Sequence, residues 1–226
     1  MDPDLRLRQQ QRVLDRFELV SGIGEPGEGT ACVMSLVAHL AGEGHTDRPR
    51  CASPVIREFA IPVNDHMPRG ARQRLKPFVP RLVGTNDGLD RGRAEVLRQV
   101  MAEVVLPRAS GECQAASPGE PARPAGPFRR LRIRLLRGTL LRRTGRLLEE
   151  AEGGRGRGQK AELASAAGPL LALCARDAWD AREAEWYWNQ AIALLDRLCD
   201  VGVQGQRGEA AGVRTQRPAA LLEAGP

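Results

Sequence analysis

A mainly α-helical fold follows from three features of this sequence. Aromatic residues make up only 4% of the chain while the apolar fraction reaches 42%. The core therefore has to be built from Leu, Val and Ala, which suits packed helices better than aromatic-rich strands. Apolar residues recur at helical spacing in several separate segments, and caps, prolines and glycines fall where those stripes begin and end. A chain of 226 residues can make one large domain or two small ones. The organisation expected is a helical module over residues 1–107, a Pro/Gly-rich linker over 108–127, a basic segment followed by a long C-terminal helix over 128–200, and a disordered tail over 201–226.

The first amphipathic helix is expected over residues 5–20, where Leu5, Val13, Phe17 and Val20 share a face, with Ser21-Gly22 ending it. Thr30 stands where a cap would precede the stripe Val33, Leu36, Val37, Leu40, and Gly42 stands where that helix stops. Ser53-Pro54 has the cap-then-proline order of a helix start, and Pro62 should end or kink the helix before a turn at Asn64-Asp65-His66-Met67-Pro68. Residues 69–85 predict a short helix to Lys76 and an irregular turn through Pro77 and Pro80. From Asp90 a helix places Leu97, Val100, Met101, Val104 and Val105 together before Pro107. These stripes need one common core, formed by Val33, Leu36, Val37, Leu40, Phe59, Leu97, Val100, Met101 and Val104.

Residues 108–127 lack periodicity and are dense in Pro, Gly, Ala and Ser, the composition of a linker. Residues 128–148 fit either a helix or a hairpin turning at Arg137-Gly138, because Arg130 to Leu135 alternates with the period of a strand although Leu and Arg both favour helix. After a break at Gly168-Pro169 a long helix is expected from Leu170 to about Cys199. Its seam runs through Leu171, Cys174, Ala178, Ala181, Glu185, Trp188, Ile192, Leu195 and Cys199 in steps of three and four. Such a helix also offers a surface for homo-oligomerisation.

The opening MDPDLRLRQQQRVLDRF carries charge throughout and no secretory apolar run, and no stretch approaches the ~20 apolar residues that cross a bilayer. The chain reads as a cytoplasmic protein without transmembrane insertion. Its five cysteines are scattered and form no C-x-x-C pair, which argues against a disulfide framework or zinc ribbon. No cofactor is called for.

Three enzyme-like constellations are weak. The run Gly22-Ile23-Gly24-Glu25-Pro26-Gly27 matches G-x-G-x-x-G, but no kinase lysine or catalytic motif follows, and Glu25 and Glu28 would repel a pyrophosphate. His39, His45 and His66 lie near Cys32, Asp47 and Cys51 without a ligand spacing. Asn64-Asp65-His66 sets an acid beside a base, yet no nucleophile elbow accompanies it, and a turn role suffices.

Charge is the global anomaly. The basic residues comprise 32 Arg and only Lys76 and Lys160, an imbalance that GC-rich codons produce by themselves. Residues 128–160 hold eleven basic groups against three acids, a net +8 that exceeds the +6 of the whole chain. Arg129, Arg130, Arg132, Arg134, Arg137, Arg142, Arg143 and Arg146 are the candidate contacts to phosphates or to an acidic protein partner. The competing reading is internal: residues 161–200 hold seven acids and three arginines, net −4, and could pair with the basic segment. Only Phe128 could stack on bases, so sequence-specific single-strand recognition gains nothing.

The phrases ACVMS, HTDRPRCASPVIREFAIPVND, HMP and RQRLKPFVPRLVGT, followed by AWDAREAEWYWNQAIALLDRL, resemble a family of uncharacterised bacterial proteins that carry these motifs in this order and end on a Trp/Ala-rich helix. The resemblance implies a helical bacterial protein and assigns no activity, cofactor or catalytic residue. Residues 108–160 do not take part in it. The function expected is therefore that of a non-enzymatic binding or adaptor protein contacting nucleic acid or an acidic protein through its arginine-rich segment. The alternative is an enzyme or small-ligand protein with a site over residues 46–81, built from Asp47, Cys51, Asn64, Asp65 and Arg81.

Overall fold

The computed structural model describes residues 3–115, 127–152, 157–178 and 180–212. It is mainly α-helical. Helix α1 (Pro3–Arg16) leads into strand β1 (Glu18–Leu19), which pairs in parallel with β2 (Thr30–Ala31) in the register Glu18 to Thr30 and Leu19 to Ala31. Then follow α2 (Val33–Ala41), α3 (Pro54–His66), α4 (Arg69–Arg72), a 3₁₀ segment (Gln73–Phe78), α5 (Val79–Leu82) and α6 (Asp90–Val100). A π turn (Met101–Val105) joins α6 to α7 (Leu106–Ala115), and the chain closes with α8 (Pro127–Glu152), α9 (Arg157–Asp177) and α10 (Ala181–Gly212).

Each early helix starts and stops for a local reason. Cys32, rather than the expected Thr30, caps α2: its Sγ accepts the Ser35 N–H at 3.2 Å while Ser35 Oγ accepts the Cys32 N–H at 2.9 Å. Thr30 instead belongs to β2, its Oγ1 accepting the Glu25 N–H. At the other end Gly42 takes φ 74, the left-handed conformation that a helix-ending glycine supplies without strain. Ser53 caps α3 with Pro54 at the first position, as its sequence implies. The segment at 18–19 is a strand and not the end of the first helix, because Glu18 and Val20 donate N–H bonds to the carbonyls of Gly29 and Ala31.

Two prolines do not break their helices. Pro62 sits inside α3, which continues to His66, so the expected turn at 64–68 is helical over its first half. Val55, Ile56, Phe59, Ala60 and Val63 form one buried stripe across the proline, and that tertiary burial outweighs the lost hydrogen bond. Pro107 likewise lies within α7, just past the π turn. It lacks the N–H that would reach the Glu103 carbonyl, and the wider turn accommodates its ring. The π turn inserts one residue, so the buried face runs Leu97, Val100, Met101, Val105, Ala109, and Val104 is turned out to 38% exposure. Of the nine residues expected in the common core, Val104 alone is exposed; Leu40 is half-buried and packs against the core.

Helix α9 is the centre of the molecule, packing against α3, α6, α8 and α10. Leu163, Ala164, Ala166, Ala167, Leu170, Leu171, Ala172, Cys174 and Ala175 are all buried, a helix apolar round most of its circumference. The expected break at Gly168-Pro169 is absent, because α9 runs through both residues. Gly168 is instead the point of closest approach to α3: a Cβ there would stand 2.7 Å from the Phe59 carbonyl oxygen. The expected single long helix is two, α9 ending at Asp177 and α10 beginning at Ala181, where Asp180 Oδ1 accepts the Glu183 N–H at 2.7 Å and caps α10.

One buried cluster runs from Leu14 to Cys199, so the segments on either side of the expected linker share a core. The first eight residues of that linker, 108–115, are helical, and residues 201–212 of the expected tail continue α10; 116–126 and 213–226 lie outside the described residues. Residues 128–148 form a helix, not a hairpin. No described helix is long and apolar enough to cross a membrane.

Candidate binding surface

The arginines divide into two groups by what holds them. Arg93 on α6 is fully buried, and each of its three guanidinium nitrogens donates. It donates to Asp87 Oδ1 at 2.6 Å and Oδ2 at 2.8 Å, to the Thr85 carbonyl at 2.7 Å and to the Leu198 carbonyl of α10 at 3.2 Å. The bond to Arg93 holds the Asp87 carboxyl below the ordinary carboxylate range. Around this pair Ser53 Oγ donates to Asp90 Oδ1 at 2.5 Å, and Ser53 N–H donates to Thr85 Oγ1 at 3.0 Å. Arg72 is buried too and donates to the carbonyls of Asn64 and Met67 at 2.7 and 2.8 Å. Partners of this kind offset the cost of burying a guanidinium ion.

Nearer the surface, Arg74 donates to Glu185 and to Asn189 Oδ1, both at 2.6 Å, and Arg81 donates to Asp196 at 2.6 Å and Asp200 at 2.7 Å. The phrase from Arg72 to Thr85 is thus a clamp on α10. Residues 72–85 and α10 meet here through Arg74 and Arg81 on one side and Glu185, Asp196 and Asp200 on the other.

That contact also disperses the alternative polar site. Arg81 faces α10. Asn64 is buried at the end of α3, where its amide donates to the Val20 carbonyl and accepts the Val33 N–H, while Asp65 Oδ1 accepts the Gly22 N–H at 2.9 Å. These bonds fasten the glycine-rich loop, whose Gly24 packs so tightly that a Cβ would lie 2.6 Å from Ala31. The Gly22 N–H, a donor that a phosphate-binding loop would offer, is thus already taken by Asp65. Cys51 lies before the other end of α3, with about 15 Å of helix between Pro54 and Asn64. Its N–H donates to Glu43 Oε1 at 2.7 Å, and burial pushes its thiol pKa up. Asp47 is half-buried in the same loop. The five residues do not converge. Among the described residues no group of three or more His, Cys, Asp or Glu side chains is arranged to hold a metal ion.

The basic segment behaves differently. Helix α8 has two faces, and the leucines that look scattered in sequence sort between them. Arg137, Leu140, Leu141, Thr144, Leu147 and Leu148 follow steps of three and four and turn inward against α9 and α7. Leu135, Thr139, Arg142 and Arg146 follow steps of four, three and four on the outer face, with Leu136 and Arg143 beside them. Arg137 departs from its expected role as a surface contact. It is 6% exposed and donates to the Ala109 carbonyl at 2.8 Å and to Asp177 at 3.4 Å, pinning α8 to α7 and α9. Arg142, Arg143 and Arg146 are exposed and form no ion pair with a described residue. The side chains of Arg129, Arg130, Arg132 and Arg134 lie outside the described residues. Of the acids in residues 161–200 that could pair with the basic segment, Glu185, Asp196 and Asp200 pair with Arg74 and Arg81, while Asp177 pairs with Arg137 of α8.

Sequence reasoning missed the buried Arg93 and the cap at Asp180. The first had no signal, since arginine is ordinarily a surface residue. The second was present as Asp180-x-x-Glu183, a capping pattern that the continuous seam overrode. Comparison with protein-family models, with curated proteins and with solved structures found no match.

Proposed function

We propose that this chain is a non-enzymatic binding or adaptor protein that engages a polyanionic partner, nucleic acid or an acidic protein, through the outer face of α8. The observation that carries this reading is the contrast in employment. Arg72, Arg74, Arg81 and Arg93 are consumed by carbonyls and carboxylates of the fold, whereas Arg142, Arg143 and Arg146 stand exposed on one helix face that the core anchors from behind. A rigid helix presenting several guanidinium groups recognises phosphates or carboxylates with little ordering cost.

Fluorescence polarisation with a labelled duplex, a labelled single strand and labelled polyglutamate, at low and near-physiological salt, tests the reading. Binding to at least one should weaken steeply as salt rises, because each neutralised phosphate or carboxylate releases counterions. Substitution of Arg142, Arg143 and Arg146 by Gln should abolish it while leaving the fold intact. Salt-insensitive binding, or none at low salt, rules the reading out.

A further inference from the structure

Resting on the reading of α8 as a binding face, we infer that its occupant is an acidic, amphipathic helix of another protein. The outer face is not purely basic. Leu135 is 62% exposed and Leu136 47% exposed, large apolar side chains set side by side on a helix whose other described leucines are turned into the core. They precede the arginine cluster by about eight residues, or about 12 Å along the axis. A ligand that covers both must offer apolar surface at one end and carboxylates at the other, which a single amphipathic helix lying along α8 does.

Other occupants fit less of this face. A nucleic-acid duplex would meet the arginines but gain nothing from the leucines, and the exposed Glu149 and Glu150 one turn beyond Arg146 would oppose its phosphate track. An anionic membrane requires a broad apolar face, whereas Leu140, Leu141, Leu147 and Leu148 are committed to the interior. A second copy running antiparallel can set Arg142 and Arg143 against Glu150 and Glu149, but that register sets no described apolar side chain opposite Leu135 and Leu136. In the partner proposed here, carboxylates lie over Arg142, Arg143 and Arg146 and apolar side chains close over Leu135 and Leu136, giving a contact apolar at one end and charged at the other.

The test uses the full chain and fluorescein-labelled helical peptides that carry, on one face, a leucine pair and three glutamates separated by about eight residues. The same peptide with its leucines replaced by Ala, a version with Gln for Glu, and a short duplex serve as comparisons. The parent peptide should bind best. Its affinity should fall by about tenfold or more with Leu135→Ala/Leu136→Ala, and at least as far with Arg142→Gln/Arg143→Gln/Arg146→Gln. Circular dichroism of both variants should match the unaltered chain. If the leucine variant binds the peptide undiminished, or the duplex binds more tightly than the peptide, the helical partner is wrong while the basic face stands. If no variant alters binding, or the peptide does not bind at all, the face itself fails as the site. Self-association in sedimentation that the arginine substitutions abolish would make a second copy the occupant and overturn the inference.

Discussion

The arginines between residues 72 and 93 and those between 142 and 146 are the same residue in opposite employment. In the first region Arg72, Arg74, Arg81 and Arg93 each have a carbonyl, carboxylate or amide oxygen of the chain as partner, and Arg74, Arg81 and Arg93 fasten α10 to the preceding helices. In the second, the helix turns one arginine inward at Arg137 and leaves three facing outward. Composition does not separate these roles, because arginine supplies nearly all the basic residues along the whole chain. The separation comes from which residues lie three or four positions away and whether an acid waits across the interface.

The comparison breaks most severely at Arg93. Arg93→Met should destabilise the fold by roughly 3–5 kcal/mol, because Asp87 and the carbonyls of Thr85 and Leu198 are left buried or half-buried without their donor. A urea denaturation series measures it, and a loss under 1 kcal/mol would mean that the pair does not lock α10. Gly168→Ala should cost about 1–3 kcal/mol, since the added methyl meets the Phe59 carbonyl and must push α9 off α3.

Acid sharpens the same contrast. Because Arg93 lowers the folded-state pKa of Asp87, the pair contributes stability that is present above the unfolded carboxylate pKa of about 3.9 and is lost as pH falls through the folded value. Stability measured from pH 5 down to pH 2 should therefore fall more gently in Asp87→Asn than in the unaltered chain. Parallel profiles would remove Asp87 from the linkage. Smaller still is the surface clamp: Arg74→Gln and Arg81→Gln should each cost ~0–1 kcal/mol, since both side chains are about 40% exposed and solvent screens the pairs. Their cost should shrink as salt is raised.

The parts of the fold legible in sequence were those fixed within a few residues. Ser53-Pro54, Gly42 and the helix from Asp90 announce themselves through cap chemistry and periodicity. Pro62 and Gly168-Pro169 misled because their effect is decided across an interface, where burial of the α3 stripe and the close approach of α9 outweigh local preference. Val104 misled because a single π turn downstream of Leu97 shifts the register by one residue. For the proposed binding face, the net +8 of residues 128–160 singles out the segment that forms α8. It did not separate Arg137 from Arg142, Arg143 and Arg146, which requires knowing that Leu140, Leu141, Thr144, Leu147 and Leu148 define the inner side.

The contrast is tested most directly by two variants compared side by side, Arg142→Gln/Arg143→Gln/Arg146→Gln and Arg74→Gln/Arg81→Gln. Each is carried through a thermal melt and a polarisation titration with labelled polyglutamate and duplex. The α8 variant should keep its stability within about 0.5 kcal/mol and lose salt-sensitive binding, as expected of exposed side chains that contact only a partner. The clamp variant should melt slightly earlier and bind as the unaltered chain does. The reverse result, a destabilised α8 variant that still binds beside a clamp variant that does not, would show that the outward arginines serve the fold and that the binding face lies elsewhere.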